Sequence, residues 1–225
     1  MDHLLSILTE EILEIIRDQT NLYATQEHET RFGEQVVRMT SCNWKPMMVE
    51  EIKTFIAIHI LMDIHTLPDL QHYWSSDNLL GVPAVANLIT NTRFKKLTES
   101  IHYNDNTKAV PRGEAGYDHL HKLRPIIDAL NSHLKEMYIP SSVMAVDESM
   151  VPFKGRSLMK QYMPMKPVKR GYKVWCLADF RTGFVSQFDI YSGRSDTQGH
   201  SSFFLGDKYV HSHKLIAFDN FFTSC

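Results

Sequence analysis

The sequence is poor in cysteine: Cys42, Cys176 and Cys225 are the three among 225 residues, lie far apart and form no CxxC pair. An odd, scattered set of thiols supports neither a disulfide framework nor a zinc module, so zinc is not expected and a reducing compartment is. Long apolar runs are also missing. The most apolar stretch, TFIAIHILMDIHTL at 54–67, is interrupted by His59, Asp63 and His65 and is too short to cross a bilayer, and no signal-peptide pattern follows Met1. There is no excess of charge of one sign. Lys and Arg number 24 against 26 Asp and Glu, a formal net charge of -2, so any basic binding surface must be local. Internal repeats and low-complexity segments are absent. What is present, 43% hydrophobic residues and 22% charged, suffices to bury a core in one or two domains. A soluble, intracellular chain with no membrane partner is expected.

Up to about residue 140 the punctuation is helical. In TEEILEIIRDQTN, Thr9 can cap a helix whose first turn holds Glu10 and Glu11 and whose apolar face is Ile12, Leu13, Ile15 and Ile16. Further helices are expected over VEEIKTFIAIHILMDI, over NTRFKKLTESIHY and over DHLHKLRPIIDALNSHLKEMY. Pro125 should kink the last of these or mark its true first turn. Trp44 and Trp74 read as core anchors between helices. After Pro140 the runs VMAVDE, YKVWCLADF, FVSQFDIYSG and KLIAFDNFF are short and rich in β-branched and aromatic residues, and RTG at 181–183 signals a hairpin turn. The fold class is therefore α+β, with a helical region 1–140 followed by a sheet region 141–225.

Asp147 and Asp219 each follow a short apolar run, VMAV or LIAF, that would deliver a carboxylate at the end of a buried strand. Magnesium takes hard oxygen ligands and needs few protein carboxylates. Two ions about 3.5 to 4 Å apart can activate a nucleophile and steady the leaving oxygen in phosphoryl transfer. On spacing alone, turn or cap residues are the commoner reading of such a pair. Glu148 alternates to the opposite strand face and should be a supporting or surface group. Between Ser149 and Ala178 there is no acidic residue but seven basic ones, Lys154, Arg156, Lys160, Lys166, Lys169, Arg170 and Lys173. Such a segment, with Tyr162 and Tyr172 interleaved and Pro164 and Pro167 holding part of it extended, suits a phosphodiester ligand. The alternative is a solvated charged loop. The HxH pair His211 and His213 lacks a suitably spaced third ligand for zinc. Asp179 and Asp189, in or beside the hairpin, read as turn and surface residues.

Three long blocks, VDESMVPFKGR, KQYMPMKPVKRGYKVW and DNFFTS, occur in an order that resembles the piggyBac transposases and their domesticated descendants. TEEILEIIRDQTN, EEIKTFIAIHIL, YWSSD and TRFKKLTESIHYND extend the likeness upstream. The resemblance implies a helical dimerisation and DNA-binding region over 1–140 and an incomplete RNase H-like catalytic core over 141–225. It implies Asp147 and Asp219 as catalytic ligands of Mg2+ or Mn2+, cut-and-paste transposition at TTAA targets, DNA as partner, a homodimer through the helical region, and the nucleus as location. The seven basic residues would approach DNA. The family's third aspartate, insertion domain, returning helices and cysteine-rich zinc module have no counterpart before Cys225, so DNA binding without competent transposition chemistry is expected. The alternatives are an active nuclease or transposase completed by a partner chain or by Glu148, and a helical interaction module with a vestigial sheet. Where the family places a full helix before DNFFTS, only DKYVHSHKLIAF separates Gly206 from Asp219. A parallel return needs about a dozen residues or more including its helix, so this segment can hardly supply both helix and strand and a shortened crossover is expected.

Overall fold

A computed structural model describes residues 6–39, 44–193 and 215–218. The chain divides into two compact units, Met1–Ile126 and Ile127–Cys225.

The first unit is helical. Helix α1, Glu10–Met39, carries Glu10 and Glu11 in its first turn. Thr9 caps it, its Oγ1 accepting from Ile12 N at 3.4 Å. It continues well beyond the segment expected from sequence. Ile12, Leu13, Ile16, Thr20 and Ala24 are buried along one stripe, the spacing a helix needs to face a core. Helix α2, Val49–Ile64, buries Val49, Ile52, Phe55 and Ile58. A short turn of helix, α3 (Pro83–Ala86), precedes α4, Asn91–Ser100, capped by Thr90 Oγ1 accepting from Arg93 N. Both α2 and α4 pack on α1.

Polar side chains pin the connecting segments. Thr20 Oγ1 donates to the His102 carbonyl and accepts from His102 N at 3.2 Å. Asn21 Oδ1 accepts from Met47 N at 2.7 Å and Trp44 Nε1 at 3.0 Å, while Asn21 Nδ2 donates to the Met47 carbonyl. Satisfying each buried amide this way is what lets irregular chain run against a helix. Trp44 and Trp74 are half-buried rather than central. The buried aromatics of this unit among the described residues are Phe55, Tyr73 and Phe94. Phe94 lies 5.1 Å from both the Phe55 and Trp74 rings. Arg93 makes a two-pronged pair with Glu51 at 2.7 and 2.6 Å and lies over the Trp44 ring.

Helix α5 spans Arg124–Met137, so Pro125 falls in its first turn, where a missing N–H costs nothing. The expected residues 118–123 form turns instead, because Asp118 accepts from Leu120 N and holds Arg124 with both carboxylate oxygens.

The second unit is built on a sheet. Strand β1 is Val143–Pro152, β2 Gln161–Tyr162, β3 Arg170–Asp179, β4 Val185–Ile190 and β5 Leu215–Phe218. β3 is antiparallel to β1 on one edge and to β2 and β4 on the other, while β5 lies parallel to β1. An antiparallel set with a parallel strand on the far edge of β1 is a partial RNase H-like sheet. The crossover into β5 lies outside the described residues. Met144, Val146, Trp175 and Leu177 form the core on one face, with Tyr191 and Ile216 against them. Asn131 on α5 accepts from Phe188 N and donates to its carbonyl, both at 2.8 Å. One side-chain amide thus satisfies the outer edge of β4 as another strand would.

Asp179 corrects the surface reading: it is 1% exposed. Its carboxylate accepts from the backbone N–H groups of Ser141, Arg181 and Thr182, tying the β3–β4 turn to the segment entering β1. The turn closes with Gly183 at φ 72, where other residues are strained. The Ser141 bond, followed by those from Arg181 and Thr182, holds the carboxyl well below the usual carboxylate range. Donors aimed at the ionised form have that effect.

Two outcomes follow. Phe94→Ala should lower unfolding free energy by about 3–5 kcal/mol, read by urea denaturation. Because the Asp179 pKa is lower folded than unfolded, its stabilisation is present above about pH 4 and fades as pH falls from there toward the folded-state value. Asp179→Asn should therefore flatten the acid limb of a stability–pH curve while lowering stability at pH 7.

Candidate nucleic-acid and metal site

Asp147 is the fifth residue of the ten-residue strand β1, not its last. The ladder to β3 continues to Pro152 opposite Gly171, so the strand outlasts its apolar run. A Cβ on Gly171 would come 2.0 Å from the Val151 carbonyl oxygen, so only glycine admits that close pairing. Antiparallel register sets Asp147 opposite Cys176 and Glu148 opposite Trp175. The alternation of a strand therefore sends the two carboxylates to opposite faces.

Asp147 is exposed, and its Oδ1 accepts from Glu148 N at 2.7 Å. The facing Cys176 thiol is pushed up from its ordinary value first by burial and then by the Asp147 charge. On the other face, the Glu148 side chain is 11% exposed and pairs with Lys166 Nζ at 3.1 Å. Lys173 Nζ sits 3.7 Å over the Trp175 ring and 5.9 Å from the centre of Tyr191. Burial pushes the Lys173 ammonium down, and the Glu148 charge opposes that shift. Glu148 thus lies on the opposite face from Asp147, as its strand position implied, and is engaged by Lys166.

The basic segment is not one loop. It comprises the end of β1, the β2–β3 hairpin and the start of β3. Pro164 and Pro167 do not hold it extended: Met163 to Lys166 is a turn, closed by Lys166 N donating to the Met163 carbonyl at 3.2 Å. Proline at the second position of a turn has the φ the turn requires. Lys154, Arg156, Lys169 and Arg170 are exposed at this tip. Lys160 Nζ donates to the Gly155 carbonyl at 2.8 Å. Lys166 and Lys173 gather at Glu148 on the opposite face from Asp147. Arg170 shares the Asp147 face and lies 5.1 Å over the Tyr162 ring. Sequence reading missed the Asp147–Cys176 and Tyr162–Arg170 neighbours because cross-strand register is not written in either strand alone.

Asp219, His211 and His213 lie outside the described residues. Among those described, no group of three or more His, Cys, Asp or Glu could hold a metal, and no helix is long and apolar enough to cross a membrane. Magnesium is often held by one or two carboxylates and water. The exposed Asp147 carboxylate fits that role as one ligand. The thiol of Cys176 is too soft for it, and Glu148 is turned away.

The family model described as Transposase IS4 matches residues 1–225. The chain is 28% identical over 228 residues to human PiggyBac transposable element-derived protein 3, covering 96% of this chain and 35% of that protein. It is likewise 28% identical to the human Chimeric ERCC6-PGBD3 protein, covering 96% of this chain and 20% of that one. The chain thus spans about a third or less of the length of these relatives. Among solved structures it is similar to the piggyBac transposase in a cryo-EM synaptic complex with hairpin DNA, with a TM-score of 0.66 and 23% identity, covering 93% of this chain and 42% of that one.

The Asp147–Cys176 pairing has a direct readout. In a Cys42→Ser, Cys225→Ser background, Asp147→Asn should lower the Cys176 pKa and speed its alkylation at pH 8 severalfold, since the thiolate is the nucleophile. An unchanged rate would mean that the two groups do not face each other.

Proposed function

Because the chain belongs to the Transposase IS4 family and is a piggyBac transposase-derived protein, we propose that it binds DNA through the cationic tip of its sheet and does not by itself perform transposition. The observation that carries this is the tip: Lys154, Arg156, Lys169 and Arg170 exposed together, in a segment without a single carboxylate from Ser149 to Ala178. The segment is +7 in a chain of -2, so it attracts polyanions where the whole molecule does not. The hairpin DNA of the solved piggyBac complex supports DNA as the ligand class.

A second reading, metal-dependent cleavage of TTAA-containing DNA, is favoured by one observation. The parallel β1–β5 ladder ends with Val146 opposite Phe218, the residues immediately before Asp147 and Asp219. In this reading Asp147 and Asp219 hold Mg2+ or Mn2+, which would supply an activated nucleophile and stabilise the leaving oxygen. Asp147 would offer one carboxylate to such an ion from β1, while Glu148 holds Lys166 on the opposite face. Residues 1–140 would serve dimerisation and DNA contacts, and 141–225 the core. The exposed Ile60 and Ile64 of α2 support a homodimer, and the nucleus is the compartment that goes with a DNA ligand.

Charge reversal at Lys154, Arg156, Lys169 and Arg170 together should abolish duplex binding at low salt. Each single alanine substitution that removes a phosphate contact should reduce the slope of log affinity against log salt by about 0.9. Binding without salt dependence would sink the proposal. Nicking of TTAA-containing duplex in Mg2+ or Mn2+, lost in Asp147→Ala, would establish the second reading in its place.

A further inference from the structure

We propose that Tyr162 and Arg170 form a stacking platform for an unpaired nucleobase, an inference that rests on the DNA-binding reading above. The two are direct cross-strand partners in the β2–β3 hairpin. The Arg170 guanidinium lies 5.1 Å over the Tyr162 ring, yet Tyr162 remains 62% exposed. One ring face is therefore covered by a cation, and the rest of an aromatic surface is offered to solvent at the most basic part of the chain. A guanidinium stacked on an aromatic ring holds that ring in place, which lowers the ordering cost when a base settles on its free face.

The support beneath is built to be stiff. The Phe153 and Tyr172 rings pack 4.9 Å apart. Phe153 N donates to the Arg170 carbonyl. A Cβ on Gly155 would come 2.5 Å from the Phe153 ring, so that turn folds directly over the ring. Lys160 Nζ then fastens the turn through the Gly155 carbonyl at 2.8 Å. Met163 N to the Lys169 carbonyl, 2.9 Å, extends the hairpin past Tyr162.

The ligand class follows from geometry. Bases inside a duplex have both faces occupied by their neighbours, so a protruding ring can stack only on an unpaired base or a duplex end. The surrounding Lys154, Arg156 and Lys169 supply the phosphate contacts that any strand needs and that carry no preference for bases. The platform also shares a face with Asp147. Along β3, residues 170, 172, 174 and 176 alternate to one side, and Cys176 is opposite Asp147. Six residues at about 3.3 Å put the platform about 20 Å along the strand from Asp147. That is on the order of six stacked nucleotides at 3.4 Å each.

The test separates bases from phosphates. The full chain is titrated by fluorescence anisotropy with oligothymidine, with an abasic strand of the same length and charge, and with a duplex. The expected ratio of oligothymidine to abasic affinity is about five- to a hundredfold, the range of one stacked base. Tyr162→Ala should bring the ratio to near one, and Tyr162→Phe should retain it. A matching thermal melt for both variants excludes unfolding as the cause. Duplex binding with a ratio of one in the wild type, or a ratio that survives Tyr162→Ala, overturns the platform while leaving the DNA reading standing. No binding to any of the three probes overturns both.

Discussion

The ladder between β1 and β3, running from Met144 opposite Asp179 to Pro152 opposite Gly171, is the constraint on which the rest of the second unit depends. A strand's side chains alternate with a period of two, so fixing this register fixes the face of every residue in both strands at once. Met144, Val146, Trp175 and Leu177 must then share one face and become the core. The same register commits Asp147 to the face of Cys176, and Glu148 to that of Trp175. A slip by one residue would bury Asp147 among apolar side chains and expose the core set. Close approach at the far end requires Gly171 against the Val151 carbonyl, so that end is held by the absence of a side chain rather than by one.

Charge is partitioned by the same ladder. Glu148, largely enclosed beside Trp175, would be a poorly solvated carboxylate on its own, and Lys166 neutralises it at 3.1 Å. Lys173 covers the adjacent ring. These two cations are thereby engaged on one face, while Lys154, Arg156, Lys169 and Arg170 remain exposed at the tip. A segment that is uniformly basic in sequence is therefore two things in space, an internal ion pair with a cation–π cover and an outward cationic surface. Asp179 anchors the opposite end of β3. Three backbone N–H groups converge on one buried carboxylate and fix the β4 hairpin against the entry to β1.

The helical unit depends on amides more than on charges. α1 presents Ile12, Leu13 and Ile16 to α2 and α4, but Thr20 and Asn21, one turn further on, satisfy backbone groups of His102 and Met47. Those bonds join segments far apart in the chain, so the connectors become part of the packed structure. Arg93, paired with Glu51 and lying over Trp44, joins α4 to α2 and to the segment before it through a largely buried ion pair.

Local pattern was enough to read the α+β class, the starts of α1, α2 and α4, the RTG hairpin turn and the strand runs around Val146, Trp175 and Phe188. Caps, periodicity and turn residues act over a few positions and are visible in the chain itself. Pro125 left two alternatives, and the structure chose the first turn because Asp118 captures Arg124 and Leu120 N. Asp147 was legible as a candidate carboxylate and the basic segment as a patch. The extension of β1 past Asp147 was not, since a strand that ends in polar residues is held by its partner rather than by its own propensity. Nor were the burial of Asp179, the turn at Pro164, the Asp147–Cys176 neighbours or the stacking of Arg170 on Tyr162 written in either strand. Sequence by itself determined which residues can form strands, turns and charges. The tertiary structure alone decided which of them meet, because register and face are properties of a pair of strands and not of either one.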